Sequence, residues 1–287
     1  AYDALGSLER VTNGAGHVLD VDPDRVGRAR TITYPGSIGS VAYDYDDAGR
    51  VDTVTDWLSG EYDLDHDADG NLTSIAYPNG VTTERVVSPA GQVSSIDTAG
   101  SSPVASFEYA FTPGGLVDSI AATGVPSAGT QQYAYTDRDQ LASATGGAGA
   151  GSFAYDAAGS VTALPGNQGL SYDDARQLDQ RIVGGGPATA FVANAVGERI
   201  SATTGASVVS YDYDQAGRLT TYADPAGDPA SYGYDGDGIR VQRTAGASTT
   251  QQVWLPSGNL SQLLVDDTTA FVRGPDGMPL AQIDTVS

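Results

Sequence analysis

The stretch Tyr43-Asp44-Tyr45-Asp46-Asp47-Ala48-Gly49-Arg50-Val51 decides how the rest of the chain reads. Two aromatic residues two apart share one face of an extended strand. Asp46 then stands where a type I turn favours an aspartate, because its carboxylate accepts hydrogen bonds from the turn N–H groups. Gly49 follows three residues later, where a hairpin loop with a bulge needs left-handed backbone. Arg50 and Val51 begin the return. The segment predicts one β-hairpin, with Tyr43 and Tyr45 on the outgoing strand and the turn over Asp46–Gly49.

The same pattern recurs as Tyr155-Asp156-Ala157-Ala158-Gly159, as Tyr211-Asp212-Tyr213-Asp214-Gln215-Ala216-Gly217, and as Tyr232-Gly233-Tyr234-Asp235-Gly236-Asp237-Gly238. Degenerate copies fill the gaps. Aligned on the glycine they fall at 6, 27, 49, 70, 91, 115, 139, 159, 176, 197, 217, 238, 258 and 277, with Asp139 and Arg176 replacing glycine and a weak copy at Gly27. Spacings of 17 to 24 residues, mostly 20 or 21, are those of a stacked repeat. The array of about 14 units covers residues 1–287 as a single domain. Opening on Ala1-Tyr2-Asp3-Ala4-Leu5-Gly6, in the middle of a repeat, it reads as a fragment of a longer protein.

Return strands carry apolar residues two and five positions after the glycine: Val51 and Val54, Leu72 and Ile75, Val117 and Ile120, Val161 and Leu164, Leu260 and Leu263. A spacing of three breaks the two-residue period of a strand, so a bulge or a change of face is expected there. A helix would also give that spacing, but units this short and this rich in Gly, Thr and Ser argue against one. Second turns are expected at Tyr77–Gly80, Asp97–Gly100, Thr145–Gly147 and Asp224–Gly227. The fold class is all-β: tandem hairpins forming a coiled antiparallel sheet.

Composition narrows the function classes. With 36 acidic against 14 basic residues, all arginine, the net charge of −22 opposes binding to nucleic acid or to anionic membranes. There is no cysteine, hence no disulfide or thiolate metal site. No apolar run of about 18 residues suggests a membrane-spanning helix, and the start has no signal-peptide pattern.

Few residues suggest chemistry. Only His17 and His66 are histidines, and His66 takes the place of the second tyrosine of a repeat. No nucleophile has a recognisable base partner, so no catalytic residue is assigned. Asp65-His66-Asp67-Ala68-Asp69-Gly70 matches the start of a calcium loop, making Asp65, Asp67 and Asp69 a calcium candidate. The twelfth position, where such a loop has glutamate, is Ala76, and the same residues also fit an ordinary repeat turn. Gly184-Gly185-Gly186 and Gly146-Gly147 lack the lysine and helix of a phosphate loop. No cofactor is expected.

Taken together, the units at Tyr43–Val51, Tyr211–Leu219 and Tyr232–Val241 resemble the consensus of the RHS or YD-repeat family, and Phe271–Leu280 resembles its last repeat before the core region. The resemblance spans nearly the whole chain. It implies a ribbon of hairpins coiling into part of a hollow shell or barrel. In bacterial members that shell encloses a C-terminal toxin, and in animal teneurins it serves adhesion at the cell surface. The expected role is therefore structural and non-enzymatic: a shell segment of a secreted or cell-surface bacterial protein. Its partners would be adjacent repeats and a toxin or cargo domain of the parent. The alternative is an adhesion or carbohydrate-binding module that meets glycans or a cell surface through exposed tyrosines.

Overall fold

In a computed structural model, which describes residues 1–147, 149–256 and 260–285, the chain is almost entirely β. Its strands form two 14-stranded sheets in which the order in space follows the order in sequence. All pairings are antiparallel. Local hairpins repeated end to end give that order without any crossover.

The three-residue apolar spacing is resolved by a bulge. Tyr43 pairs with Val54, Asp44 with Thr53 and Tyr45 with Val51, so Asp52 is the extra residue. The bulge returns Val51 and Val54 to one face opposite Tyr45 and Tyr43, a role suited to an inserted residue. The same shift occurs at Asp65/His66, Ala134/Tyr135, Ser171/Tyr172 and Asp212/Tyr213.

Two readings of the sequence need correction. Leu263, not Leu260, is the residue opposite the bulge, facing Trp254, while Leu260 is 80% exposed. The unit there is out of step with an alignment on Gly258, a position outside the described residues. The turn expected at Asp97–Gly100 lies later: Val93–Ala99 is strand, and Gly100 donates to the Ser102 carbonyl at 3.0 Å. Thr98 and Asp97 are needed in the ladder with Ala105 and Ser106, which outweighs their turn propensity.

The chain divides into two compact units: Ala1–Arg85 with Tyr232–Ser287, and Val86–Ser231. In the first, strands from both ends of the chain enclose one core of Leu19, Ile32, Tyr34, Val41, Val54, Leu64, Ile75, Leu264 and Val272 among others. Tyr34 donates its hydroxyl to the Phe271 carbonyl at 2.7 Å, and Tyr43 to that of Arg273 at 3.0 Å. Each hydroxyl finds an acceptor that its buried ring would otherwise deny it. In the second unit, the same repeat leaves most of its apolar side chains part-exposed or exposed, and among the described residues only Ala122 and Ala230 are buried hydrophobics.

Candidate functional site: turns and struts of the repeat

The aspartate of each YD turn acts as a clamp. Asp46 accepts from Gly49 N–H on its carbonyl at 2.9 Å, and its Oδ1 accepts from Arg50 N–H at 2.8 Å. Gly49 has φ +83°, where a β-carbon is strained. Asp156 holds Ala158 and Ser160, Asp214 holds Ala216 and Arg218, and Asp235 holds Asp237 and Ile239, all at 2.8–3.0 Å. Gly159, Gly217 and Gly238 match Gly49 with φ of +90°, +75° and +84°. Asp139 and Arg176 adopt φ of +58° and +62° in glycine's place. The weak copy at Gly27 is a full turn as well, with Asp24 holding Val26 and Arg28 at 2.9 Å.

These bonds favour the ionised clamp. The N–H of Arg50 holds the Asp46 carboxyl below the usual range, with its guanidinium adding to the effect. Asp214 is lowered in the same way by Arg218, and Asp156 by the N–H of Ser160. For Asp67 the side-chain amide of Asn71 has the largest effect, followed by its N–H.

The residue after the glycine proves to be structural. Arg28, Arg50 and Arg218 fold back onto the carboxylates of Asp24, Asp46 and Asp214, each at 2.7 Å. Arg50 also donates to the Asp67 carbonyl of the next turn at 2.9 Å, and Gln92 to that of Gly115 at 3.1 Å. An added Cβ at Gly49 would lie 2.8 Å from Arg28 Nη1, and one at Gly159 3.2 Å from Gln140 Nε2. The glycine therefore also seats the side chain arriving from the previous turn. The signal available in the sequence was the run of long polar residues after it: Arg28, Arg50, Gln92, Gln140, Gln177, Glu198 and Arg218.

The second tyrosine of the motif is more than a packing residue. Tyr45 donates its hydroxyl to the Ala29 carbonyl at 2.7 Å, Tyr135 to Val117 at 2.7 Å and Tyr155 to Leu141 at 2.9 Å. Tyr172 reaches Val161 at 2.8 Å and Tyr213 reaches Arg199 at 3.0 Å. In every case the acceptor is the residue opposite the bulge in the preceding hairpin. It lies beyond the last pair of the ladder joining the two hairpins. The hydroxyl is a strut: it joins neighbouring hairpins where their backbones have ceased to pair. Trp254 takes the same place, its indole N–H meeting the Arg240 carbonyl at 2.8 Å, and Arg273 does so toward Leu263 at 2.7 Å. Tyrosine, tryptophan and arginine share a donor on a long flat group, which is what this position requires.

First-position aromatics serve the inner face. Tyr43 is 8% exposed in the core of the first unit; Tyr211, in the second, packs against Tyr222 across the ladder with the rings tilted and their centroids 5.6 Å apart. Tyr232, also part-exposed, lies under the Arg240 guanidinium at 5.5 Å. Tyr234, in the strut position, is part-exposed at the end of its strand.

Asp65, Asp67 and Asp69 are not brought together as ligands. Asp67 is a turn clamp, accepting from Asp69 and Asn71 N–H at 3.0 and 2.9 Å, while Asp65 lies in strand Glu61–His66 opposite Ser74. Among the described residues no three His, Asp or Glu side chains are grouped to hold a metal ion. His66 faces Leu72 across the bulge, in the strut position, and His17 lies beside the Asn13 amide, 3.2 Å away.

No family model matches the chain, and no curated protein does. Solved structures do. A structure of the Photorhabdus luminescens Tc holotoxin pore with a mutated TccC3 matches with TM-score 0.59 at 18% identity, over 89% of this chain and 15% of that one. A crystal structure of TcdB2-TccC3 matches with TM-score 0.58 at 14% identity, over 94% of this chain and 17% of that one. The TcdB2-TccC3-Cdc42 structure gives TM-score 0.57 at 19% identity, over 89% and 15%. This chain has the RHS-like, YD-repeat fold. It spans less than a fifth of the chains it matches, so the likeness identifies the architecture of this segment. Within the RHS-like fold the Tyr-Asp-x-x-Gly motif is a mechanical unit: clamp, seat and strut.

Proposed function

We propose that the chain is a wall segment of an RHS shell, non-enzymatic, in an exported bacterial protein whose shell encloses a toxin or other cargo from the same parent. The observation that carries this reading is the strut. A repeat that joins successive hairpins through the backbone and, at Tyr45, Tyr135, Tyr155, Tyr172, Tyr213, Trp254 and Arg273, through a side chain as well is built to resist opening, and its turn aspartates are consumed by N–H groups. The likeness to structures that contain TccC3 supports the same role. No helix among the described residues is long and apolar enough to cross a membrane.

The test is protease protection in the protein expressed from its full reading frame. A segment outside residues 1–287 should resist cleavage in the native protein. It should become cleavable when Tyr135, Tyr155 and Tyr172 are together replaced by phenylalanine. If all flanking segments are cleaved in the native state as fast as in urea, enclosure is wrong.

A further inference from the structure

Two asparagines take the clamp place of a turn, and their amides are surrounded differently. Asn13 Oδ1 accepts from the N–H groups of Ala15 and His17 at 3.0 and 2.9 Å, and Asn194 Oδ1 from those of Val196 and Glu198 at 3.1 and 3.0 Å. The amide nitrogen of Asn194 donates to the Glu198 carboxylate at 2.6 Å. That of Asn13 lies 3.2 Å from Nδ1 of the His17 imidazole. The next residue differs as well: Ala195 follows one and Gly14 the other.

Nothing in the fold asks for that glycine. An added Cβ at Gly14 would meet nothing within 4 Å, and its backbone is not left-handed, unlike that of Gly16 at φ +84°. Other turns place Arg25, Asp47, Ala157 or Gln215 at the same step. What the missing side chain does provide is access to the Gly14 nitrogen. Gly14 is exposed, and among the described residues its N–H has no acceptor. The other Asn-Gly pair of the chain, Asn79-Gly80, is set up differently. Gly80 N–H is committed to the Tyr77 carbonyl at 2.9 Å, and Asn79 Oδ1 accepts from Val81 N–H alone, at 3.1 Å.

We propose that Asn13 is a self-deamidating site. The Gly14 nitrogen attacks Asn13 Cγ, the new N–C bond closes a succinimide ring, and the Cγ–Nδ2 bond breaks to release ammonia. Gly14 gives its N–H proton to solvent, and the departing nitrogen takes one from solvent by way of His17 Nδ1. Water then adds to one ring carbonyl and breaks that carbon's bond to the Gly14 nitrogen, leaving aspartate or its β-linked isomer at position 13. In sum a water is consumed, an ammonia is released, and nothing is oxidised or reduced. The N–H groups of Ala15 and His17 point at Oδ1, where negative charge develops as Cγ becomes tetrahedral, at the distances of an oxyanion hole. At Asn194 an ionised carboxylate stands by the amide nitrogen instead, with no proton to give. The normally linked product would supply this turn with the acidic clamp of the other copies, its carboxylate toward His17. The inference does not depend on the wall function.

Peptide mapping by mass spectrometry on the full chain, held for days in neutral buffer, reads each asparagine separately. Asn13 should convert about tenfold or more faster than Asn79, a modest share of what placed oxyanion donors contribute. Asn194 should stay intact. In urea, where the turns are lost, Asn13 and Asn79 should convert at equal rates. His17→Gln keeps a partner for the amide but relays no proton, and should slow Asn13 by about tenfold. Gly14→Ala should stop the conversion. Trp57, packed on Tyr34 beside the core, reports by its fluorescence that each variant is folded. Conversion of Asn13 no faster than that of Asn79 in the native chain overturns the proposal. So does Asn194 keeping pace with Asn13, or a rate that His17→Gln leaves unchanged.

Discussion

The two units are written in one motif and buried differently. Two residues before the strut, the first unit has Tyr43 and Leu64, 8% and 2% exposed. The second has Phe153, Leu170 and Tyr211 at that place, all part-exposed. The turns are alike, with clamps at Asp24, Asp46 and Asp67 in one and Asp156 and Asp214 in the other. The difference teaches that the motif specifies hairpin geometry and hairpin-to-hairpin spacing, while burial depends on what lies over the inner face. In the first unit that cover is chain more than 200 residues away, the strands near Phe271 and Arg273 that accept from Tyr34 and Tyr43.

The largest expected effect follows from that difference. Leu64→Ala should destabilise the first unit by about 2–5 kcal/mol, the cost of a cavity in a closed core. Leu170→Ala, at the equivalent place on a part-exposed face, should cost about 1 kcal/mol. Both tryptophans lie in the first unit, so their fluorescence in a urea titration reports on it alone, while hydrogen exchange reads the second. Equal losses at the two leucines would erase the comparison.

Alkali and acid should divide the units next. Burial pushes the Tyr34 and Tyr43 hydroxyls well above the usual phenol range. Unfolded tyrosine ionises near pH 10. Above that pH the unfolded chain releases protons that the folded one keeps, so stability present below about pH 10 is lost as pH rises. The first unit should weaken more than the second, where Tyr135 is also raised by burial but less enclosed. The clamps run the other way. Their carboxyls are held low, so the stability they add is present above the ordinary aspartate range near pH 4 and is lost as pH falls. Acid should loosen both units. Hydrogen exchange at the turn amides of Arg50 and Ser160, followed from pH 7 to 2, would show it, and protection unchanged to pH 2 would exclude the clamp as a source of stability.

Much of this is legible in the sequence. Asp46 and Gly49 announced a hairpin through backbone rules that act within five residues, and the three-residue step from Val51 to Val54 announced a bulge. The tyrosine hydroxyl was not, because Tyr45 needs an acceptor 16 residues back, and a ring that fits a strand looks sufficient as packing. Arg273 and Trp254 in the strut position were hidden for the same reason: they share a donor with tyrosine, not a shape. Leu260 misled because the ladder pairs Trp254 with Leu263, so the return strand begins later than an alignment on Gly258 expects. The closed core of the first unit depends on contacts between the chain's ends, and no local pattern distinguishes Leu64 from Leu170.

The smallest effect is also the one that isolates the strut. Tyr213→Phe keeps the ring and removes a single hydroxyl, leaving the Arg199 carbonyl without its donor. That site is open to water, so the expected loss is about 0.5 kcal/mol, at the low end for a hydrogen bond. Tyr45→Phe removes the same bond in the first unit, where burial raises the hydroxyl's pKa and the Arg28 guanidinium lies 4.1 Å over the ring. Water cannot replace the donor as freely there, and the Ala29 carbonyl should cost about 1–2 kcal/mol when orphaned. A double variant with Arg28→Gln separates the bond from the stacked guanidinium: if the hydroxyl is the strut, Tyr45→Phe should cost nearly the same in either background. If the loss disappears once Arg28 is gone, the tyrosine acts through the cation above it, and the strut is not what joins these hairpins.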